Sequence, residues 1–198
     1  MATREKPSRL YTPRGIGCFV NLHTPRQRKD AKGQPKGDPK YGLLMYFDTK
    51  ADLSELIEAA EAKALEKFGS KWEKLKDSGK LNWPIRDAEE LEESGEPFNN
   101  GGFVINFKKE DKPGIVDADA EPLMEKSDVY SGMICRVSCR AFAYDNESKG
   151  VSFALINVQK LDDGTRMSGD PDAEDDFGKA PPASKGKTGK KVNVDDLL

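Results

Sequence analysis

Five stretches of this chain alternate apolar and polar side chains with the period of a β-strand. In Gly15–His23 (GIGCFVNLH), Ile16, Cys18, Val20 and Leu22 share one face, and Phe19, Asn21 and His23 share the other. Tyr41–Asp48 (YGLLMYFD) is apolar enough for a buried strand. Gly101–Lys109 (GGFVINFKK) sets Phe103, Ile105 and Phe107 against Val104, Asn106 and Lys108. Ser131–Tyr144 and Val151–Leu161 flank the short polar run DNESKG and form the clearest hairpin signal.

Between the second and third strands the period changes to that of a helix. Leu53, Leu56, Ile57, Ala60, Ala64 and Phe68 fall on one face, with Thr49 as the expected N-cap and Gly69 as the stop. Lys71–Asp77 reads as a shorter helix with Trp72 and Leu75 on its apolar edge. The expected fold is mainly β with a helical insert at about 50–78. It is an OB-like, five-stranded antiparallel barrel, because a twisted meander of this size closes most simply that way.

The flanks differ. Residues 1–13 read as a flexible arm, 14–161 as the folded domain, and 162–198 as a disordered tail rich in Asp, Gly, Pro, Ser and Lys. Residues 24–40 (TPRQRKDAKGQPKGDPK) hold three prolines, two glycines and six Lys or Arg, and read as a long basic loop. Loops of this length inside a domain usually bind something. Residues 85–96 read as an acidic surface segment.

Charge sharpens this division. Residues 1–41 carry ten Lys or Arg against three Asp or Glu, whereas 161–198 carry six against nine. A basic arm and an acidic tail in one chain fit a polyanionic ligand with internal competition for its site.

The hairpin ICRVSCRAFAY (134–144) brings in candidate chemistry. On a strand, Cys135, Val137, Cys139, Ala141 and Ala143 point one way; Arg136, Ser138, Arg140, Phe142 and Tyr144 point the other. A turn around Asn146–Ser148 sets Phe142 across from Phe153 and Arg140 across from Leu155, with Val137 facing Val158. Asn157 and Gln159 then continue the polar face. Cysteines on the first face are small buried hydrophobes. Arginine, aromatic and amide groups on the second suit single-stranded nucleic acid: cations track phosphates and bases stack on rings at about 1–3 kcal/mol each.

Other chemistries fit poorly. Cys135 and Cys139 sit roughly 13 Å apart on a regular strand, too far for a disulfide or shared zinc. Gly186-Lys-Thr188 has Pro181 where a phosphate-binding loop needs glycine. DPDAEDD (170–176) lacks the glycine and glutamate of a calcium loop. One histidine, His23, gives no acid–base or nucleophilic set. The carboxylates of DADAE (117–121) leave a metal-dependent nuclease as the enzymatic alternative, and a protein-interaction or virion component as the non-catalytic one. No catalytic residue, metal or cofactor is expected. The N-terminus MATREKPSRL lacks the apolar core of a signal peptide, and three cysteines fit a reducing compartment.

Several runs carry a resemblance: FVNLHTP (19–25), NWPIRD (82–87), GGFVIN (101–106), KPGIVD (112–117), YSGMICRVSCRAFAY (130–144), KGVSFALINVQKLDDG (149–164) and AEDDF (173–177). In order and spacing the chain resembles the phage single-stranded DNA-binding protein family, formerly a domain of unknown function. The run RDAEE (86–90) departs from that family's RDGDE-like run. The resemblance implies an OB-like protein that coats single strands during phage DNA replication or recombination, in the cytoplasm of the infected bacterial host. The T-odd-type replicative proteins are similar in plan, with an acidic C-terminal tail and commonly a homodimer. Their usual helix lies between strands three and four, whereas here it lies between two and three. Together these readings nominate Arg26, Arg28, Lys29, Lys32 and Lys36 on the basic loop, Arg136 and Arg140 on the hairpin, and Phe142, Tyr144 and Phe153 as stacking rings. Phe19 and Phe107 are weaker candidates. Asp195, Asp196, Leu197 and Leu198 form a tip for replication or recombination partners, on a tail that competes with DNA.

Overall fold

The computed structural model describes residues 9–29, 32–91 and 97–167. Its strands are β1 (Leu10–Tyr11), β2 (Gly15–Lys29), β3 (Pro35–Phe47), β4 (Ile85–Asp87), β5 (Phe103–Lys109), β6 (Gly114–Val116), β7 (Ile134–Asp145) and β8 (Lys149–Asp162). Two helices, α1 (Ser54–Phe68) and α2 (Trp72–Asp77), lie between β3 and β4.

Five strands pair in a closed ring: β2 with β3, β3 with β5, β5 with β8, β8 with β7, and β7 with β2. Four contacts are antiparallel, but β5 and β8 run parallel. This corrects the all-antiparallel expectation. Strand direction cannot alternate around a ring with an odd number of members, so at least one contact must be parallel. The five long strands are those the alternation indicated, and the helices lie between the second and third of them.

Inside the ring, Leu22, Met45, Phe47, Ile105, Phe107, Val137, Phe153 and Val158 form the main core. Helix α1 adds Leu56, Ala60 and Ala64 to it. The helix begins at Ser54, not behind Thr49: Asp52 accepts a hydrogen bond from the Ser54 amide at 3.0 Å and holds the first turn. Gly69 ends it at φ 62°, a conformation that favours glycine.

A second, smaller core lies outside the ring, where Cys18, Leu44, Tyr46 and Val104 are covered by Ala88 and Phe98. A bulge in β2 explains why Cys18 packs here while Leu22 packs inside. Cys18 pairs with Leu44 and Asn21 with Gly42, so β2 carries one extra residue between them. One extra residue inverts the alternation. Cys18 and Leu22 therefore face opposite sides, against the single apolar face read from the sequence.

The flanks are more ordered than expected where they are described. Leu10 and Tyr11 pair with β7, and Thr12 is buried, donating its amide to the Val137 carbonyl and accepting the Val137 amide at its hydroxyl, both at 3.0 Å. Strand β8 runs to Asp162, and the next residues still dock. Met167 donates its amide to the Ser131 carbonyl at 2.9 Å, and the Arg166 guanidinium lies 4.0 Å from the Tyr130 ring centre. Arg166 and Met167, within the segment read as tail, therefore pack against the residues ahead of β7. Residues 1–8 and the expected tail beyond 167, including the blocks at 170–176 and 186–188, lie outside the described residues.

Candidate nucleic-acid interface

The basic segment 24–40 is not a loop. Residues 24–29 and 35–40 extend β2 and β3 into a projecting two-stranded arm, with Arg26 opposite Lys40, Arg28 opposite Lys36, and Lys29 opposite Pro35. Register shifts absorb the prolines, and Gly37 (φ 71°) supplies the left-handed position that one irregularity needs. Composition alone hid this element, because proline removes only its own ladder bond and an exposed arm has free edges to spare.

Where the arm leaves the ring, β2, β3 and β5 form the floor of a groove of about 610 Å³. Across the floor, Asn21 pairs with Gly42 and Gly42 with Lys108. Gly42 leaves the centre open, because a Cβ there would meet the Phe107 carbonyl and, at 3.2 Å, the Lys108 side chain. Arg26, Arg28, Lys29 and Lys40 line the arm side, and Arg86 on β4 lines the far wall. Lys40 is paired with Glu110 at 3.2 Å.

Lys108 shows what the groove does electrostatically. Its pKa is lowered from 10.5, first by burial and then by the charges of Arg28, Lys40 and Arg86. The groove thus concentrates positive potential around a lysine on its exposed floor, a setting that an anion relieves.

Phe19 and Tyr41 are the aromatic residues that line the groove, and Phe19 is the exposed one. It is 43% exposed and sits in the β2 bulge at φ 49°, a costly conformation for a bulky residue. Its ring stacks on Phe98 at 6.3 Å and an interplanar angle of 6°. Strained backbone at an exposed aromatic beside a cationic groove is a combination that clusters at functional sites.

The nominated residues divide between this groove and other places. Arg26, Arg28 and Lys29 line it. Lys36 reaches Glu147 in the β7–β8 turn at 3.3 Å, and Lys32 is exposed at the arm's tip. Arg136, Arg140 and Phe142 are exposed on the outer face of β7, which lies across the ring from β3. That face is partly occupied by structure. Arg136 donates to Gln159 at 2.8 Å; Gln159 donates to the Asp117 carbonyl; Asn157 accepts the Gly114 amide. Tyr144 is half-buried, its ring 6.2 Å from Phe142 and its hydroxyl 3.3 Å from the Asn82 amide nitrogen.

Phe153 is not a stacking ring. It is 1% exposed and packs inside the ring 5.9 Å from Phe107, which is equally buried. The cause is register. Val137 does face Val158, but β8 carries an extra residue, Ile156, opposite the Ser138–Cys139 step. Beyond it Ala141, not Phe142, faces Phe153, and Arg140 faces Ala154. Lys109 donates to the Ile156 carbonyl at 3.4 Å, capping the bulge. The cysteine reading needs no change: Cys18, Cys135 and Cys139 are free and buried, and burial pushes each thiol up to about 12.

Lys40, Arg86 and Lys108 are groove residues that sequence reasoning did not nominate. Alternation already put Lys108 on the face of β5 away from the apolar one, but nothing local reveals which strands flank that face. His23, on the arm side of β2, has its pKa lowered by burial and by Lys112 and Lys126. Among the described residues there is no group of three or more His, Cys, Asp or Glu placed to hold a metal ion.

A family model described as Enterobacter phage Enc34, ssDNA-binding protein, matches residues 17–187. The chain belongs to that family. Protein p50 of Acyrthosiphon pisum secondary endosymbiont phage 1 is 29% identical over 145 residues, 69% of this chain and 77% of that protein. Among solved structures, the single-stranded DNA-binding protein of bacteriophage Enc34 in complex with ssDNA superposes with a TM-score of 0.64 at 17% identity. That match covers 81% of this chain and 89% of that one. Gp2.5, a single-stranded DNA-binding protein encoded by bacteriophage T7, gives 0.59 at 13% identity, covering 93% of this chain and all of the other. The family and these neighbours are binding proteins, not enzymes.

Proposed function

We propose that this protein binds single-stranded DNA without sequence preference, in the groove formed by β2, β3 and β5 and along the basic arm. Lys108 carries the reading. A lysine ammonium held among the like charges of Arg28, Lys40 and Arg86 is an unfavourable arrangement alone and a favourable one against a phosphate backbone. Phe19 supplies a π-face that any base can use, so affinity would depend little on sequence.

The proposed biological setting is replication or recombination of phage DNA in the cytoplasm of the bacterial host, with dimerisation and protein partners as further parts of the proposal; membership of a phage single-stranded DNA-binding family supports it. The acidic tail competes with DNA for the groove and presents Asp195, Asp196, Leu197 and Leu198 to partners when displaced. Two features support this. The segment after 167 is acidic in balance, and Met167, the last described residue, packs on the same outer core as Leu91, which lines the groove. A tethered acidic segment acts at high effective concentration.

The test is a titration of fluorescent oligo-dT at several salt concentrations, with duplex competitor and a Mg²⁺ cleavage control. Binding that weakens linearly in log salt, prefers single strands and leaves the oligonucleotide intact supports the proposal. Cleavage would favour a nuclease, and salt-insensitive or absent binding an interaction component. Removing residues 169–198 is expected to tighten binding at low salt; unchanged affinity would remove the tail's role.

A further inference from the structure

A second pocket, of about 680 Å³, opens on the other side of β4 and shares Arg86 with the groove. Its floor is apolar, from Leu81, Ile85 and Phe103, and its aromatic wall is Trp83. Trp83 stacks on Trp72 of α2 at 5.7 Å and 18°, and the Lys76 ammonium stands 4.3 Å from its ring centre.

We infer that this pocket is a base-stacking subsite for the strand that leaves the groove past Arg86, so that the DNA path extends beyond the β2–β3–β5 floor. The inference rests on the groove reading. Three observations carry it. Arg86 belongs to both cavities, so a phosphate held there has the groove on one side and the pocket on the other. Trp83 is pre-positioned by Trp72, so stacking a base on it orders little that is not already ordered. Lys76 occupies the π-face in the absence of a base. A cation over an indole ring and a stacked base use the same surface, so a base displaces the ammonium, which stays within reach of the adjoining phosphate.

The carboxylates of Asp87 and Glu90 also border the pocket. They repel a phosphate from the mouth and leave Arg86 as its anchor, so the pocket receives the base and the backbone stays at the Arg86 edge.

The protein has two tryptophans, so Trp72→Phe leaves Trp83 as a single reporter with its stacking partner replaced by another ring. Oligo-dT of about 4 to 16 nucleotides, the range of single-module site sizes, is titrated against this variant, reading labelled-oligo anisotropy and Trp83 emission together. Expected are binding at all but the shortest lengths and quenching that appears or deepens only with the longer strands. Trp83→Leu is expected to weaken long strands roughly tenfold and short ones little, with Trp83→Phe restoring most of the loss. Binding by anisotropy with no quenching at any length, or equal loss for long and short strands with Trp83→Leu, would overturn the subsite and leave the groove reading intact. Loss of anisotropy change throughout would overturn both.

Discussion

Arg28 on the projecting arm and Lys108 on β5 repel each other across the groove floor. Arg28 is the largest charge contribution, after burial, to lowering the Lys108 pKa below 10.5. A DNA phosphate placed there favours the charged form and raises that pKa again. Binding therefore takes up protons, at most one from this site, in the alkaline window between the free and bound values, and affinity falls as pH rises through it. The same depression acts on folding with a definite sign: stability is greatest above 10.5 and declines as pH falls through the lowered value. Calorimetry in buffers of different ionisation enthalpy is expected to show proton uptake by the native protein and none at this site in Lys108→Met. That variant gains stability at neutral pH while losing DNA affinity. Equal uptake by both proteins would exclude Lys108 from the interface.

Phe19 combines a strained backbone with an exposed ring. Phe19→Gly relieves the strain at φ 49° but removes the ring, so folding stability is expected to change by less than about 1 kcal/mol while single-strand affinity falls by about 1–3 kcal/mol. Because no charge is lost, the slope of log affinity against log salt should remain that of the native protein. Thermal melts and salt-dependent titrations check the two halves separately; a flattened slope would show that Phe19 orders phosphate contacts instead of stacking.

The main alternation was legible wherever strands lie half inside the ring: all five ring strands, the helix face built on Leu56, Ala60 and Ala64, and the burial of Cys135 and Cys139 could be read directly. What could not be read depends on single extra residues. The bulge at Phe19 inverts the faces of β2, and Ile156 shifts β8 by one position, which is enough to send Phe153 into the core. The groove was only half legible because its cations come from three separate segments. Arg26 and Arg28 announce themselves in a basic run, whereas Arg86 sits in an acidic one and Lys108 ends an apolar strand. Only the β4–β5 and β3–β5 pairings bring them together.

The ring also separates the two sets of arginines, and this gives a direct discrimination. Arg28 lines the groove; Arg140 lies on the outer face of β7. Arg28→Gln is expected to flatten the salt slope by about 0.7, the contribution of one phosphate on a single strand, and Arg140→Gln to leave it within error. If Arg140→Gln flattens the slope by as much as Arg28→Gln, the strand wraps onto β7 and the interface is larger than the groove.

The three thiols are buried in apolar surroundings and each has its pKa pushed up to about 12. Thiolate, the reactive form, is therefore scarce in the folded state at any ordinary pH. A thiol-specific disulfide reagent at pH 8 is expected to label none of them on the timescale of minutes, and all three once denaturant unfolds the chain. Because the thiols contact no groove residue through a hydrogen bond, oxidant that leaves folding intact should leave DNA affinity unchanged. Rapid labelling of Cys135 in the native protein would show that the ring opens locally.

Tyr144 and Gly150 face each other across the β7–β8 hairpin. A Cβ on Gly150 would run into the Tyr144 ring and hydroxyl, and would stand 2.9 Å from the Asn82 Cβ. Asn82 cannot retreat freely, because it donates its amide to Lys149 at 2.9 Å and accepts the Val151 amide at 3.0 Å. Gly150→Ala is therefore expected to destabilise the fold by about 1–3 kcal/mol, the usual cost of overpacking. At roughly 2–4 °C per kcal/mol for a chain of this size, the melting temperature falls visibly. Tyr144→Ala alone costs packing against the hairpin, but in its background Gly150→Ala meets only the Asn82 Cβ and costs less. A double-mutant cycle should show that coupling. The same cycle assigns the ring its role: if Tyr144 is a hairpin strut, Tyr144→Ala lowers the melting temperature more clearly than it lowers oligo-dT affinity. An affinity loss comparable to that of Phe19→Gly, with the melt unchanged, would return Tyr144 to the list of stacking residues.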